Sequence, residues 1–460
     1  MSDEVNLILR QLPSVDELSM LAENLPQAKG ITKRYLVSIS RKILENLRAD
    51  IVSKKSSPKN PSEKALELIE KELQDIISPA LKRVINLTGI FVHTNLGRSP
   101  LSSEAVDALK TAEHYCNLEY DISERKRGKR DRNLAKILSL ITGCEHFLLA
   151  NNNAAALFLI LNSFAKGKKV AVSRGELIEI GGSFRIPDIM RASGAKLVEV
   201  GTTNRTHLYD YEKAADDGAF MFLKVHSSNY RVVGFTESVS ADELVTLAKR
   251  KNILCVEDLG SGSLIDLSDK GFPKEPTVQD SLAKGMDLVT FSLDKLLGGP
   301  QGGLVLGKKE LIDKMNRNPI KRVVRCGKLT LLALESTLRS YLREDELLST
   351  HPLYRNLFVS EIGLHERGNQ LIDALKKKFG DAVTYNIKTD SCYMGGGSLP
   401  EQAIPSLVIE LIPVKISLNR LVKIFSENDP PIIGRISEDK LIFDLRQLEN
   451  ISDAVPSSEL

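Results

Sequence analysis

Between residue 84 and about residue 325, short apolar runs alternate with amphipathic segments of helical length. Apolar runs of strand length, spaced by such segments, are typical of a largely parallel β-sheet with crossover helices. The runs are residues 147–149, 169–172, 196–200, 220–223, 253–256 and 288–291. The alternation predicts an α/β fold in which ligands collect at the carboxyl ends of the strands.

The regions on either side of this alternation have other patterns. Apolar residues at helical spacing predict a helical N-terminal domain over residues 1–80. The strand-rich region then forms a large α/β domain over residues 81–330. A predicted helix and two later apolar runs indicate a smaller α+β domain over residues 331–460, from the segments 329–342, 407–411 and 441–445.

Composition excludes several classes of protein. No apolar run is long enough to cross a bilayer, and the acidic start lacks an apolar signal region. The five cysteines show neither close pairing nor metal-type spacing, so we expect reduced thiols, no metal site and a cytoplasmic protein. A net charge of +3 neither demands nor excludes a nucleic-acid partner.

The segment 288–303 places Lys295 after an apolar strand and before a glycine-rich turn and a second apolar strand. A lysine at the buried end of a strand is unfavourable unless its amine is used, and a covalent link to pyridoxal phosphate (PLP) is one such use. Ser292 lies where its hydroxyl would reach the cofactor phosphate. A surface lysine that opens a hairpin loop explains the same pattern equally well.

A second candidate for a phosphate site follows the predicted strand 147–149. Asn152, Asn153 and Ala154 open an apolar helix, where backbone N–H groups and small side chains suit a phosphate. Asparagines that only cap the helix would have the same sequence.

Asp258 follows the predicted strand 253–256, and its carboxylate would pair with a protonated pyridine nitrogen. An ordinary loop aspartate is the alternative. The segment 224–229 also ends a strand, and its polar residues, including His226 and Ser228, would face the ring hydroxyl or the substrate. His226 is equally consistent with a structural histidine.

Arginines stand near the predicted edges of the site. Arg98, Arg322 and Arg325 have the fork-shaped side chain that binds phosphate-like oxyanions, although a solvated basic surface is the alternative for each. The run 125–132 is the strongest basic patch of the chain. It suits a nucleic-acid backbone or an exposed charged loop, and it lacks interleaved aromatic residues for base stacking.

Together these segments resemble the bacterial selenocysteine synthase family, the L-seryl-tRNA(Sec) selenium transferases. The resemblance extends over nearly the whole chain, from residues 10–16 to residues 432–436. Its densest matches are residues 84–89, 93–98, 173–182, 201–207 and the lysine segment 288–303. Leu293 departs from the glycine that the family commonly has there, and the C-terminus is short.

The resemblance implies a fold-type-I PLP enzyme with a tRNA-binding N-terminal domain. Lys295 would link to PLP, and Arg98, Arg322 and Arg325 would surround the selenium donor. The implied reaction converts L-seryl-tRNA(Sec) to L-selenocysteinyl-tRNA(Sec), by β-elimination to aminoacrylyl-tRNA and addition of selenium from selenophosphate. The implied assembly is a homodecamer of five dimers.

Two other functions remain open from the sequence. One is a related PLP lyase or aldolase that acts on a small amino acid or sugar acid, since fold alone does not set the substrate. A helical N-terminal domain argues against it, because a small substrate does not require one. The other is a tRNA-binding protein without catalysis, against which the presence of both Lys295 and Asp258 argues.

Overall fold

The computed structural model describes residues 3–53, 55–180, 184–226, 230, 232–272, 274–395 and 403–458. The chain divides into two compact units, Met1–Arg83 and Val84–Leu460. Each unit encloses hydrophobic core of its own. Among the helices in these described ranges, none has the length and apolarity needed to span a bilayer.

The first unit is helical. Its described α-helices are α1 (Asp3–Arg10), α2 (Val15–Glu23), α3 (Lys33–Val52) and α4 (Pro61–Ile77). The longest, α3, buries Leu36, Leu44 and Leu47 at intervals that align them on one face. Helix α4 begins at Pro61 because the Asn60 side chain accepts from the backbone N–H of Glu63.

The second unit alternates helices and strands. Its helices are α5 (Ser103–Leu109), α6 (Arg132–Thr142), α7 (Asn153–Phe164), α8 (Ile186–Ser193), α9 (Leu208–Asp216), α10 (Ala241–Lys251), α11 (Val278–Lys284), α12 (Lys309–Arg317), α13 (Ile320–Val323), α14 (Lys328–Ser340), α15 (Glu344–Thr350), α16 (Pro352–Arg355), α17 (Glu361–Phe379) and α18 (Leu418–Ser426). Its strands are β1 (Ile85–Asn86), β2 (Tyr120–Asp121), β3 (Lys126–Arg127), β4 (His146–Ala150), β5 (Lys169–Ser173), β6 (Glu179–Ile180), β7 (Phe184–Arg185), β8 (Lys196–Val200), β9 (Ala219–Val225), β10 (Leu254–Gly260), β11 (Leu288–Ser292), β12 (Gly303–Gly307), β13 (Val383–Cys392), β14 (Ile404–Pro413), β15 (Ile432–Ile433), β16 (Arg435–Ser437) and β17 (Lys440–Asp444).

A seven-stranded sheet forms the centre of this unit, in the order β4-β12-β11-β10-β9-β5-β8. Neighbouring strands are parallel except where β12 pairs with β11 and with β4. The predicted α/β fold with a mostly parallel sheet is confirmed. Each of the six apolar runs predicted as a strand lies within or overlaps a strand of this sheet.

Side chains from alternate strand positions enter two separate cores. On β9, Phe222 belongs to one core, whereas Met221 and Leu223 belong to the other. Helices cover both faces, so the strands carry nearly continuous apolar runs. Polar residues are therefore left for the strand ends, where a site would form.

A smaller antiparallel sheet, β13-β14-β17-β16, lies in the C-terminal part of the same unit. It packs with α17 and α18 around a third core that includes Leu371, Phe425 and Phe443. Strand β1 pairs in parallel with β15, which joins the start of the second unit to its C-terminal part.

Candidate active site

Lys295 lies in the loop between β11 and β12. The two strands pair antiparallel, with Ser292 opposite Gly303, so the hairpin predicted around the lysine is present. Lys295 is only 4% exposed. Burial lowers the pKa of its amine because the charged form loses hydration, while the Asp258 carboxylate acts in the opposite direction. Leu293 is fully buried and occupies the space that a side chain at Gly302 would need.

Asp258 lies near the carboxyl end of β10, beside the strand that leads to Lys295. Its Oδ1 accepts from Asn153 Nδ2 at 2.8 Å, and Asn153 Oδ1 accepts from the Thr290 hydroxyl at 2.7 Å. Burial raises the pKa of Asp258, against the opposing effects of the Asn153 hydrogen bond and the Lys295 charge. The chain of hydrogen bonds from Thr290 through Asn153 therefore fixes the orientation of the carboxylate.

Helix α7 begins beside these groups. Asn152 caps it, since its Oδ1 accepts from the Ala155 N–H at 2.8 Å. The first-turn N–H groups of Asn153 and Ala154 have no acceptor within the helix, as at any helix start. A Cβ at Gly303 would lie 2.3 Å from the Asn152 carbonyl oxygen, so glycine is required for β12 to pass this turn.

Arg98 approaches Lys295 from a different part of the chain. Its guanidinium donates to Asp294 Oδ2 at 2.6 Å, next to the lysine, and it adds to the lowering of the pKa of Lys295. Arg98 adopts a left-handed backbone conformation, with φ 65°, which is uncommon for a residue other than glycine. The Asp294 carboxylate therefore holds the Arg98 side chain within the electrostatic reach of the lysine.

The segment that carries Arg322 and Arg325 is held beside the turn between β4 and α7. The Asn151 N–H donates to the Val324 carbonyl at 2.8 Å, and the Cys326 thiol donates to the Ala150 carbonyl at 3.0 Å. Arg322 is exposed on α13. The backbone on either side of Arg325 therefore lies beside the predicted phosphate site, and the Arg325 side chain lies 3.5 Å from Glu119. Within the described ranges, no ion pair or hydrogen bond joins Arg322 or Arg325 to Lys295.

Glu119 forms ion pairs with three arginines of this region. Its carboxylate binds Arg130 at 2.7 Å and Arg127 at 3.0 Å, and Arg325 lies 3.5 Å away. Arg130 and Arg127 lower the pKa of Glu119. Much of the basic run 125–132 is therefore paired: Arg132 contacts Asp121, and Lys126 contacts Glu124.

His226 follows β9, and its Nε2 lies 3.4 Å from the Glu275 carboxylate. Both atoms are buried, and neither has a hydrogen-bond partner among the described residues. Ser228 lies outside the described residues. Ser292, the last residue of β11, is buried beside the lysine loop.

Sequence reasoning missed several residues of this site. Asp294 lies next to Lys295 in the sequence, and this proximity could have identified it. The hydrogen bonds of Asn153 to Asp258 and Thr290 left no signal in the sequence, because the residues before α7 have the pattern of an ordinary helix cap. Glu275 lies in a loop and raises the pKa of Lys295 in the same way as Asp258 and Asp294 do.

The arrangement fits PLP in three respects. A buried amine with a lowered pKa suits a covalent link to an aldehyde. A buried, oriented carboxylate suits a protonated pyridine nitrogen. The start of α7 supplies N–H groups for a phosphate at the same edge of the sheet.

Comparisons with known proteins agree over most of the chain. Residues 84–449 match the family model described as L-seryl-tRNA selenium transferase. The L-seryl-tRNA(Sec) selenium transferase of Desulfotalea psychrophila is 43% identical, over 97% of this chain and 96% of its own length. The enzyme of the same name from Haemophilus ducreyi is 43% identical, over 98% of this chain and 99% of its own.

Among solved structures, D-glucosaminate-6-phosphate ammonia-lyase is similar with a TM-score of 0.58. It is 18% identical, over 81% of this chain and 93% of that one, so the likeness concerns the fold alone. The matches in sequence cover nearly the full length of both partners, and this chain belongs to the L-seryl-tRNA selenium transferase family.

Proposed function

We propose that this protein converts L-seryl-tRNA(Sec) to L-selenocysteinyl-tRNA(Sec) with PLP as its cofactor. Seryl-tRNA and selenophosphate would give selenocysteinyl-tRNA and phosphate, with the seryl hydroxyl replaced by selenium at Cβ. The observation that carries the proposal is the 43% identity to transferases of this name over 97% of the chain, together with the buried Lys295–Asp258 arrangement.

The residues of the site divide the chemistry between them. Bound PLP supplies an electron-poor ring that stabilises negative charge on the seryl Cα. Lys295 would hold the cofactor and would then move the Cα proton. Its lowered pKa supports this role, because a larger fraction of the amine is neutral, and able to accept a proton, at a given pH. Asp258 keeps a proton on the pyridine nitrogen, with Asn153 and Thr290 fixing its orientation.

The other proposed residues are assigned to the cofactor or to the selenium donor from their places in the fold. Asn152, Asn153 and Ala154 at the start of α7 would bind the phosphate through backbone N–H groups, with Ser292 nearby. Ser228 is proposed for the cofactor from its place after β9. Arg98, Arg322 and Arg325 would bind the selenophosphate oxygens through charge-assisted hydrogen bonds. The attachment of residues 324 and 326 to the β4–α7 turn supports this role, because it keeps two of these arginines beside the site.

We further propose that the first unit recognises the tRNA, while the large α/β and smaller α+β domains carry the chemistry. Support comes from its separate helical core, which includes Leu18, Leu44 and Leu73. None of the residues proposed for the PLP chemistry lies in this unit. Recognition of a structured RNA by shape suits a folded helical unit.

The proposed assembly is a homodecamer of five dimers, in the cytoplasm. Exposed apolar side chains support the assembly, because they would be buried in contacts between subunits: Val233 is 79% and Phe235 is 85% exposed.

The proposed cytoplasmic location rests on the cysteines, which are all free, as suits a reducing compartment.

Turnover by the full-length protein tests the function. We expect selenocysteinyl-tRNA from seryl-tRNA(Sec) and selenophosphate, and no product from free serine. Lys295→Ala should lower turnover by at least about 10²–10⁴-fold, the usual contribution of an acid–base group, while tRNA binding persists. Lys308→Ala, at an exposed ion-paired lysine, is the control. Turnover of small amino acids or sugar acids without tRNA would instead support the lyase or aldolase function.

The pH dependence of lysine reactivity tests the environment of Lys295. Only a neutral amine reacts, so a lowered pKa should move the midpoint of reductive methylation of Lys295 to lower pH. Lys308 should show a higher midpoint, because its hydrogen bond to Asp287 raises its pKa. Asp258→Asn should lower the Lys295 midpoint further. Peptide mass spectrometry of cofactor-free protein measures both, and a Lys295 midpoint at or above that of Lys308 would contradict the assignment.

Donor dependence tests the arginines. Each charge-assisted hydrogen bond is worth about 1.5–3 kcal/mol, so Arg98→Ala, Arg322→Ala and Arg325→Ala should each raise the half-saturating selenophosphate concentration roughly 10- to 150-fold. Loss of the seryl hydroxyl should continue. Arg339→Ala on α14, at an exposed arginine paired with Glu335, is the matched control. If hydroxyl loss stops and donor dependence is unchanged, the arginines serve the cofactor or the tRNA.

Deletion of residues 1–83 tests tRNA recognition. The remaining unit, Val84–Leu460, keeps its own cores and all proposed PLP contacts, so it should fold and bind PLP. It should no longer distinguish tRNA(Sec) from tRNA(Ser) in a competitive gel shift. Discrimination equal to that of the full chain would show that another part of the protein selects the tRNA.

A further inference from the structure

The loop that carries Lys295 is buried, yet each of six consecutive carbonyl groups in it accepts a hydrogen bond. Backbone N–H groups serve the first three carbonyls: Gly299 donates to Leu293 at 2.8 Å, Ser99 to Asp294 at 3.2 Å and Gly298 to Lys295 at 3.0 Å. A buried carbonyl without a donor is costly, so complete pairing fixes one loop conformation.

Side chains serve the other three carbonyls. The Tyr354 hydroxyl donates to Leu296 O, the Tyr341 hydroxyl to Leu297 O at 2.8 Å, and His351 Nε2 to Gly298 O at 3.0 Å. We call Tyr341, His351 and Tyr354 the carbonyl clamp. Their exposed fractions are 9%, 1% and 2%, so water does not compete for these bonds.

The direction of the His351 bond is set by its other nitrogen. Nδ1 accepts from the Leu353 N–H at 3.2 Å, so the proton of the neutral ring lies on Nε2 and points to Gly298 O. Burial lowers the pKa of His351, which favours this neutral form. Gly298 has φ 73°, and a Cβ there would lie 2.5 Å from the ring, so the glycine allows the imidazole to reach the carbonyl.

The clamp joins the catalytic loop to the chain that follows α14. All three donors lie within residues 341–354 and act on carbonyls one to three positions after Lys295. On its other side, the loop is held by the Leu296 N–H, which donates to Ser261 O at 3.1 Å. Release of the clamp would free the chain after Lys295 while leaving β11 and β12 paired.

We propose that Tyr341, His351 and Tyr354 are positioning residues that hold the Lys295 amine in register with the reacting carbon. The inference rests on the proposed role of Lys295 in PLP chemistry. A proton transfer depends steeply on the placement of the amine, because small misplacements of a catalytic group lower rates by up to about 10²-fold. The clamp contributes this placement through the loop backbone, because its three hydrogen bonds end on carbonyl groups of the loop.

The test uses Tyr341→Phe, Tyr354→Phe, His351→Leu and His351→Gln in the full chain. In cofactor-free protein, exchange of the amide hydrogens of Leu296, Gly298 and Gly299 should accelerate on the order of tenfold in the first three variants. The methylation midpoint of Lys295 should rise towards that of an ordinary lysine, because a looser loop admits water. In the PLP-bound enzyme, kcat should fall on the order of tenfold or more, with KM for seryl-tRNA unchanged. His351→Gln should retain more activity than His351→Leu, since an amide both donates and accepts.

Tyr211→Phe is the matched control. Tyr211 is 1% exposed, and its hydroxyl accepts from the Ser173 N–H at 3.1 Å, outside the lysine loop. It should lose stability without a change in loop exchange or in the Lys295 midpoint.

The proposal is overturned if the clamp variants change the amide exchange of the loop and the methylation midpoint of Lys295 no more than Tyr211→Phe does. If one variant fails to fold, the others decide, because each removes a different donor. If the clamp variants show faster amide exchange in the loop but the unmodified protein does not convert seryl-tRNA, the proposed function is overturned. The role of the clamp in holding the Lys295 loop would still stand.

Discussion

The antiparallel pairing of β12 with β11 is the constraint on which the site depends. A chain that leaves β11 and returns along β12 must reverse direction at the carboxyl edge of the sheet, and Lys295 lies in that reversal. Strand β12 also pairs with β4, so the same strand places the start of α7 beside the lysine loop. One reversed strand thereby brings the amine and the helix start to a single edge, where the parallel strand β10 also carries Asp258.

Burial then sets the electrostatics of that edge. Lys295, Asp258 and Asp294 are each about 5% exposed, and a charge removed from water is tolerated only with partners. Arg98 is the partner of Asp294, with 2.6 Å between Nη1 and Oδ2, and Asn153 is the partner of Asp258, with 2.8 Å between Nδ2 and Oδ1. The same lack of water lowers the pKa of the Lys295 amine and raises the pKa of the Asp258 carboxyl group, because burial disfavours the charged form of each.

The sequence predicted the strands and the lysine loop because apolar runs report burial directly. It did not predict that Asn153 would orient Asp258, since the residues before α7 look the same whether they cap a helix or bind a neighbour. The sequence left the basic run 125–132 open between a nucleic-acid contact and an exposed charged loop, and it did not predict that Arg130 and Arg127 bind Glu119. That pairing follows from the two-residue strands β2 and β3, which are too short to leave a periodic pattern.

The contacts that assemble the site join distant parts of the chain. Arg98 and Asp294 are 196 residues apart, as are Arg130 and Cys326, and Ala150 is 176 residues from Cys326. Closing loops of this length lowers chain entropy before any contact compensates, so such contacts form slowly and late. During synthesis, the ribosome must therefore deliver nearly three quarters of the polypeptide before the site can close. The helices of the first unit need none of these distant contacts, because that unit packs around a hydrophobic core of its own.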